Sequence, residues 1–408
     1  MPWNETAPVK ERFRFLRDFQ RGIFRFSELC RHYGISRKTG YKLLNRFAAE
    51  GLEGLCDRSR APRNCPHRVD EALEDALVEI RRRHPSWGAR KIVGYLEDNL
   101  PDFTWPAAST VGEILRRRGL IQARRRRSRP GHPGRPETEM HESNSVWTAD
   151  FKGHFKTRDA VYCYPLTVVD GFSRYLLGCQ ALLSTAHELA QPVLERLFRE
   201  FGLPEVMRTD NGTPFATQAV ARISKLTVWF IKLGIRHETI EPSHPEQNGR
   251  HERMHRTLKA EATRPPGANC AAQQRLFNRF RTEYNEERPH EALGQKTPAS
   301  FYASSPRRFP DRLPAIEYPA HFEIRKVNRN GGIRWKHHYP SGPNNGWLFI
   351  SQVLNEEYVG LEEIDNGIWS IYFGSVLIGR FDERELKLYG AYNSRHSTPA
   401  TLLPMLPV

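Results

Sequence analysis

Three acidic residues of the chain lie where a carboxylate can hold a divalent ion against a phosphate. Asp150 sits in S-V-W-T-A-D-F-K-G-H-F (145–155), which reads as a strand ending near a glycine. Asp210 closes P-E-V-M-R-T-D-N-G-T-P-F (204–215), a short apolar strand that runs into an Asn-Gly turn. Glu252 lies in H-P-E-Q-N-G-R-H-E-R-M-H-R-T-L-K (244–259), where a polar turn opens a basic helix. Carboxylates in these settings can converge, because α/β sheets gather active groups at the carboxyl ends of their strands. Such a set suits Mg²⁺ or Mn²⁺, which take hard oxygen ligands and leave positions open for phosphate and water. Two ions ~4 Å apart can activate an attacking oxygen and stabilise the leaving one in phosphodiester chemistry.

The segments W-T-A-D-F-K-G, T-D-N-G-T-P-F, the Glu252 segment and Y-N-E-E-R-P-H-E-A-L (284–293) together resemble the integrase-core transposases of bacterial insertion sequences, relatives of retroviral integrases. The similarity covers about residues 140–300, and four segments in order are far more specific than a lone D-N-G. The resemblance implies a ribonuclease H-like core with an Asp-Asp-Glu triad and two Mg²⁺ (or Mn²⁺) ions per site. It also implies cutting at the element end, followed by attack of the freed 3′-hydroxyl on target DNA. Asp150 and Asp210 would then bridge both ions and Glu252 would hold one, with no covalent protein–DNA intermediate.

The third carboxylate has two claimants. Glu246 follows Asp210 with 35 residues between, the interval familiar for this superfamily, whereas Glu252 has 41 between and needs a short insertion. In the resembling cores a Pro-x-x-x-Gly turn precedes the catalytic glutamate, and Pro245 and Gly249 put Glu252 in that slot. The extra residues fit within the helical stretch 216–235. Glu246 would sit on a loop, a less rigid support for a ligand. Glu252 is therefore preferred, although spacing alone does not settle it. Its competing reading is an i,i+4 salt bridge to Arg256, of about 0.3–0.5 kcal/mol.

Arg256 and Lys259 lie one and two turns after Glu252 on the same helix face. The resemblance implies that they hold the DNA end; a solvated basic stripe is the alternative. Asn211 and Gly212 permit the tight turn after Asp210. Gln247 and Asn248 belong to a polar loop, and Asp170 reads as structural.

Positioning these groups requires a mixed sheet flanked by helices. Strands are expected at 145–155, 161–170 and 174–182, with a helix at 185–201 that starts or kinks at Pro192. A strand ending at Asp210, a helical stretch, a strand at 237–242 and the Glu252 helix complete a core placed at 139–305.

Ahead of the core, 26–47 reads as a helix-turn-helix: Ser27 caps the first helix, Gly34 turns, and Ser36 caps the second. Arg37, Lys38, Thr39 and Tyr41 then open a recognition helix. Residues 1–66 form this module with its linker. A second helical module at 67–120 ends in a helix with Ser109 and Thr110 near its start, a second DNA-contact candidate. The arm at 121–138 carries Arg124, Arg125, Arg126 and Arg127, which read as phosphate contacts or as a solvated linker. After the core, short strands and tight turns over 306–390 fit a small SH3-like β-barrel with Arg325, Lys326, Arg334 and Lys336 on its surface. A flexible tail at 391–408 completes a multidomain chain: all-α front, α/β core, β-barrel.

The 408 residues suit about two to four domains. The net charge of +15 favours an anionic partner, here double-stranded DNA as terminal repeats and target. No apolar run approaches the roughly 20 residues that span a bilayer, and the N-terminus does not read as a signal peptide. The six cysteines show no disulfide framework, so a reduced bacterial cytoplasm, associated with the nucleoid, is expected. Cys30 with His32 and Cys65 with His67 are too close for a zinc module. Joining two ends implies a homo-oligomer on DNA. The leading reading is a DNA transposase. A site-specific DNA-binding regulator and a nuclease without strand transfer are the alternatives.

Overall fold

The structure, a computed structural model, describes residues 8–58, 69–121, 138–216, 223–240, 249–335 and 346–390. Two compact units divide the chain, one ending at Val69 and one starting at Asp70.

The first unit packs α1 (Pro8–Gln20), α2 (Phe26–His32) and α3 (Arg37–Glu50) around Phe15, Leu16, Leu29, Cys30, Leu43 and Leu55. Gly34, at φ 63°, makes the turn between α2 and α3, a conformation that costs glycine little. Ser36 caps α3 by accepting from the Thr39 N–H at 3.1 Å. Ser27 does not cap α2: it lies inside the helix, which starts at Phe26, and the Glu28 carboxylate accepts from the Arg25 N–H at 3.3 Å instead. Gly40 lets α3 approach its neighbours, since a Cβ there would stand 2.8 Å from both Cys30 Sγ and the Phe26 ring.

The second unit begins with α4 (Glu71–Arg83), α5 (Ala89–Asn99) and α6 (Ala108–Arg117). These helices are tied to a later segment of the same unit, residues 283–291. His84 stacks on Trp87 at 3.9 Å, and its Nδ1 lies 2.9 Å from Glu283. Arg90 pairs with Glu291 at 3.0 Å, and Lys91 donates to the Pro289 carbonyl.

The core sheet contains β1 (Val146–Phe151), β2 (Phe155–Lys156), β3 (Tyr162–Asp170), β4 (Leu176–Leu182), β5 (Val206–Thr209) and β6 (Arg236–Thr239). Its order is β2-β3-β1-β5-β6, with β4 also on β3. β1 is antiparallel to β3 and parallel to β5. Gly153, at φ 79°, separates β1 from β2, so the expected single strand is broken there. α7 (His187–Phe201) and α8 (Lys225–Lys232) cover one face, burying Trp147, Leu197, Phe198 and Phe230. α7 starts before Pro192, and the chain stays helical through it. The missing Pro192 N–H would have met the carbonyl of Glu188, which lies in the exposed first turn where water can replace it. α9 (Gly249–Ala262) and α10 (Cys270–Thr282) cover the other face through Met254, Leu258 and Phe277.

The C-terminal strands are β7 (Glu323–Lys326), β8 (Gly332–Arg334), β9 (Trp347–Phe349), β10 (Tyr358–Asp365), β11 (Ile368–Phe373), β12 (Val376–Asp382) and β13 (Lys387–Gly390). Among the described residues they form a five-stranded sheet, β13-β12-β11-β10-β7, and a separate pair, β8-β9, rather than a closed barrel. Their apolar cluster also takes in Ile223 and Val228, so part of its cover comes from the α8 region. Lys232 pairs with Glu357 at 2.7 Å across the same contact. The expected basic surface is partly neutralised, with Arg325 on Glu323 and Lys326 on Glu356, each at 2.6 Å. Lys336 and the tail at 391–408 lie outside the described residues.

Candidate metal centre and nucleic-acid contacts

Asp150 and Asp210 are carried by neighbouring parallel strands. The register pairs Ala149 with Thr209, and each aspartate is the next residue along the chain, Asp150 within β1 and Asp210 just past the end of β5. Burial, then the charge of Asp210, pushes the Asp150 carboxyl up to about 7, and the charge of Glu252 adds to the rise. The Phe151 N–H and Lys152 oppose it. Burial also raises Asp210, offset by the Gly212 N–H, which donates to its Oδ1 at 3.2 Å. A Cβ on Gly212 would stand 3.0 Å from Asp210 Oδ2, so glycine keeps that oxygen uncrowded. Asn211 donates to the Ile240 carbonyl at 2.6 Å and ties this turn to the end of β6.

Glu252 stands in the first turn of α9, where a carboxylate also complements the helix dipole. The helix buries His251, Met254, His255, Leu258 and Ala262, leaving Glu252, Arg256 and Lys259 exposed along one flank. Among the described residues no ion pair joins Glu252 to Arg256, so the salt-bridge reading of this glutamate finds no support. Glu246 lies outside the described residues.

Sequence reasoning missed two histidines beside these acids. His251 and His255 share a helix face at i,i+4, a spacing that can place two imidazoles on one ligand. Among the described residues, Asp150, His251 and His255 are the only group of three or more acidic, histidine or cysteine residues whose ligand atoms all lie within 4.8 Å of one another. The Thr167 hydroxyl donates to the Asp150 carbonyl at 3.0 Å. Its one proton being spent, it accepts from Nε2 of both histidines at 2.7 Å. With Nε2 so engaged, His255 keeps its lone pair on Nδ1. His251 Nδ1 lies 2.8 Å from the Thr148 hydroxyl, which also reaches the Val169 carbonyl at 3.3 Å, and His255 Nδ1 faces Asp150 Oδ2 at 3.7 Å. Burial keeps both rings neutral, lowering His251 to about 3 and His255 to about 2. With the Asp150 carboxyl ionised, the imidazole lone pair and the carboxylate that face each other across that gap fit a cation between them.

Arg37, Lys38, Thr39 and Tyr41 are exposed along the start of α3. The Thr39 hydroxyl lies 2.9 Å from the Ser36 hydroxyl within the cap, and Tyr41 rests on Phe26 at 4.2 Å. Arg37 and Lys38 are thus the least encumbered of the four. Ser109 is exposed and Thr110 half-buried in the first turn of α6. Arg124, Arg125, Arg126 and Arg127 lie outside the described residues.

Protein-family models match this architecture. Residues 11–63 match a helix-turn-helix domain and 39–115 a homeodomain-like domain, while 140–245 and 233–298 match integrase core domains. The chain therefore carries helix-turn-helix domains ahead of an integrase core. It is 27% identical over 276 residues to an uncharacterized protein of insertion element IS476 from Xanthomonas euvesicatoria, covering 66% of this chain and 76% of that one. A protein of insertion element IS407 from Burkholderia multivorans is 28% identical over 249 residues, 58% of this chain and 83% of its own. The Gag-Pol polyprotein of baboon endogenous virus is 30% identical over 194 residues, which are 47% of this chain and 11% of the polyprotein. The HTLV-2 integrase catalytic core domain, solved in complex with magnesium, is 17% identical, covers 40% of this chain and 100% of its own, and has a TM-score of 0.33. No helix of the described residues is long and apolar enough to cross a membrane.

Proposed function

We propose that the chain is a DNA transposase that cuts element ends and joins their 3′-hydroxyls to target DNA, with Asp150, Asp210 and Glu252 as the metal ligands. The observation that carries the reading is electrostatic. Burial, then the charge of Asp210 and last that of Glu252, push Asp150 up to about 7, and the register of β1 and β5 sets the two aspartates side by side. A divalent cation is the group that relieves such repulsion, and the acceptor pair of His255 and Asp150 has the polarity to receive it. The residues present therefore fit Mg²⁺ or Mn²⁺, with two ions as the proposed number. Bound there, the metal supplies Lewis-acid polarisation of a phosphodiester and lowers the pKa of a coordinated oxygen.

The chain's own residues supply the rest. Asp150 and Asp210 offer oxygens from adjacent strand ends, so β1 and β5 fix their separation. Glu252 approaches from the α9 flank and closes the site over the sheet. Arg256 and Lys259 follow it along that flank, where they hold the phosphate backbone of a DNA end. Arg37, Lys38, Thr39 and Tyr41 read the terminal repeat from α3, and Ser109 and Thr110 add contacts from α6. The arginines at 124–127 add salt-dependent affinity. Two ends are brought together by a homo-oligomer on DNA.

The test uses the inverted repeats flanking the coding region as labelled duplexes. Divalent-ion-dependent nicking at the repeat end, followed by joining to plasmid DNA, is expected. Specific binding without any strand cleavage in Mg²⁺ or Mn²⁺ contradicts the proposal and leaves a DNA-binding regulator.

A further inference from the structure

Asp150 is built into β1, but Asp210 stands just past the last ladder residue of β5, so the strand alone does not fix it. It opens a loop, residues 210–216, in which the Phe215 and Ala216 N–H groups both donate to the Gly212 carbonyl, at 3.0 and 3.1 Å. Phe215 anchors the far end in the core beneath the sheet. A metal ligand on a loop keeps its place only where the loop is tied to rigid elements. Beside the Asn211 bond to Ile240, the residue that ties both ends is His237.

His237 lies on β6, and the register sets it opposite Met207 on β5. Side chains alternate along a strand, so His237 shares with Met207 and Thr209 the sheet face that α8 covers. There its ring packs edge-on against Phe230 at 5.7 Å. Nε2 lies 2.8 Å from the Thr209 hydroxyl, and that hydroxyl reaches the Asp210 carbonyl at 3.0 Å. Nδ1 lies 3.1 Å from the Thr227 hydroxyl, which reaches the Phe215 carbonyl at 3.3 Å. Thr227 is itself fixed in the cap of α8, where its N–H donates to the Ser224 hydroxyl at 3.1 Å. One imidazole thus joins the residue before the loop to a carbonyl near its end, against the start of a helix. Burial keeps the ring neutral, pushed down to about 4, so it lends the loop hydrogen bonds and the carboxylates no charge.

The same pair of contacts occurs at the other aspartate, from the opposite face of the sheet. Thr167 meets the Asp150 carbonyl at 3.0 Å and the Nε2 atoms of His251 and His255, on α9, at 2.7 Å. Each aspartate carbonyl is therefore met by a threonine hydroxyl that is held in turn by imidazole, although the histidines come from unrelated elements. A histidine that only filled space would not repeat this pattern at both acids.

We propose that His237 is a positioning residue for Asp210, fixing through Thr209 and Thr227 the loop on which that carboxylate stands. The inference rests on the reading of Asp210 as a metal ligand. Loosening the loop weakens the hold on the metal while every ligand stays in place in the sequence.

The test is calorimetric titration of the full chain with Mn²⁺ in the absence of DNA. His237→Leu is expected to weaken Mn²⁺ binding by about tenfold, as loss of a group that orients a ligand does, and Thr209→Val by a similar factor. His237→Gln, whose amide can meet Thr209 where Nε2 did, should recover most of the loss. The double variant Thr209→Val with His237→Leu should lose no more than His237→Leu alone, because both act through one hydroxyl. Ile371→Val, in the buried core of the C-terminal sheet, should lower the melting temperature and leave Mn²⁺ affinity unchanged. Thr209→Val keeps the branched shape of its side chain and carries the test if His237→Leu folds poorly. Wild-type affinity in a folded His237→Leu or in Thr209→Val overturns the proposal. Equal losses in His237→Leu and His237→Gln, or additive losses in the double variant, also overturn it. Asp210→Asn separates two failures: affinity lost there but kept in His237→Leu refutes this inference alone, whereas affinity kept in both refutes the metal reading with it. A chain whose Mn²⁺ affinity follows His237 but which never cuts or joins DNA upholds the inference and refutes the proposed catalysis.

Discussion

His255 on α9 and Asp150 on β1 face each other at 3.7 Å, Nδ1 to Oδ2. The arrangement follows from Thr167, whose hydroxyl accepts from both histidines and so turns the His255 lone pair toward the carboxylate. Thr167→Val should leave two buried N–H groups without an acceptor. A loss of about 1–3 kcal/mol per stranded donor is expected, read as a lower urea midpoint at unchanged slope. An imidazole nitrogen favours Mn²⁺ over Mg²⁺ more than oxygen ligands do. Calorimetric titration should therefore give a larger Mn²⁺ preference for wild type than for His255→Gln. An unchanged ratio removes His255 from the metal's surroundings.

The elevated Asp150 carboxyl sets a pH dependence. Its folded value is about 7 against a reference of 3.8, so between those values the folded chain keeps a proton that the unfolded chain has released. Stability of the metal-free protein attributable to this group falls as pH rises through that window and levels off above it. Asp150→Asn has no such loss. In chelator, its melting temperature should gain on wild type from pH 4 to pH 8, and a constant difference refutes the shift.

The placing of Asp150 and Asp210 on neighbouring strands was legible in the sequence because each is announced locally, by a strand run and by an Asn-Gly turn. The histidine network was not. It links Thr148 to His251 across 103 positions, and no local signal pairs them. The docking of α4–α6 onto the segment around Glu283 was hidden in the same way, since His84 and Glu283 lie 199 positions apart. Alternation located the C-terminal strands but does not encode closure. Whether a sheet closes depends on what covers its apolar face, and here Ile223 and Val228 do part of that.

Recognition should depend on α3. Arg37→Ala combined with Lys38→Ala removes two exposed cations while Ser36 still caps the helix. Preference for terminal-repeat over random duplex should fall at least tenfold, a loss of about 1.4 kcal/mol, at ~0.15 M salt. Equal loss of affinity for both duplexes would show that these residues touch only phosphates.

Arg256 and Lys259 should act on DNA and not on metal. Arg256→Ala and Lys259→Ala are each expected to reduce strand joining while Mn²⁺ titration keeps its wild-type affinity. End-binding salt slopes should flatten by about one counterion for each charge removed. Wild-type joining with an unchanged slope returns both residues to a solvated helix face.

In the proposed reaction Asp150, Asp210 and Glu252 perform the chemistry together. The most direct measurement is joining of a 3′-hydroxyl repeat end to supercoiled plasmid, with end-binding affinity followed in parallel. Asp150→Asn, Asp210→Asn and Glu252→Gln should each abolish joining and leave end binding at the wild-type level, while Glu246→Gln still joins. Full joining by Glu252→Gln, with Glu246→Gln inactive, contradicts the account of the third ligand; joining by either aspartate variant contradicts it altogether.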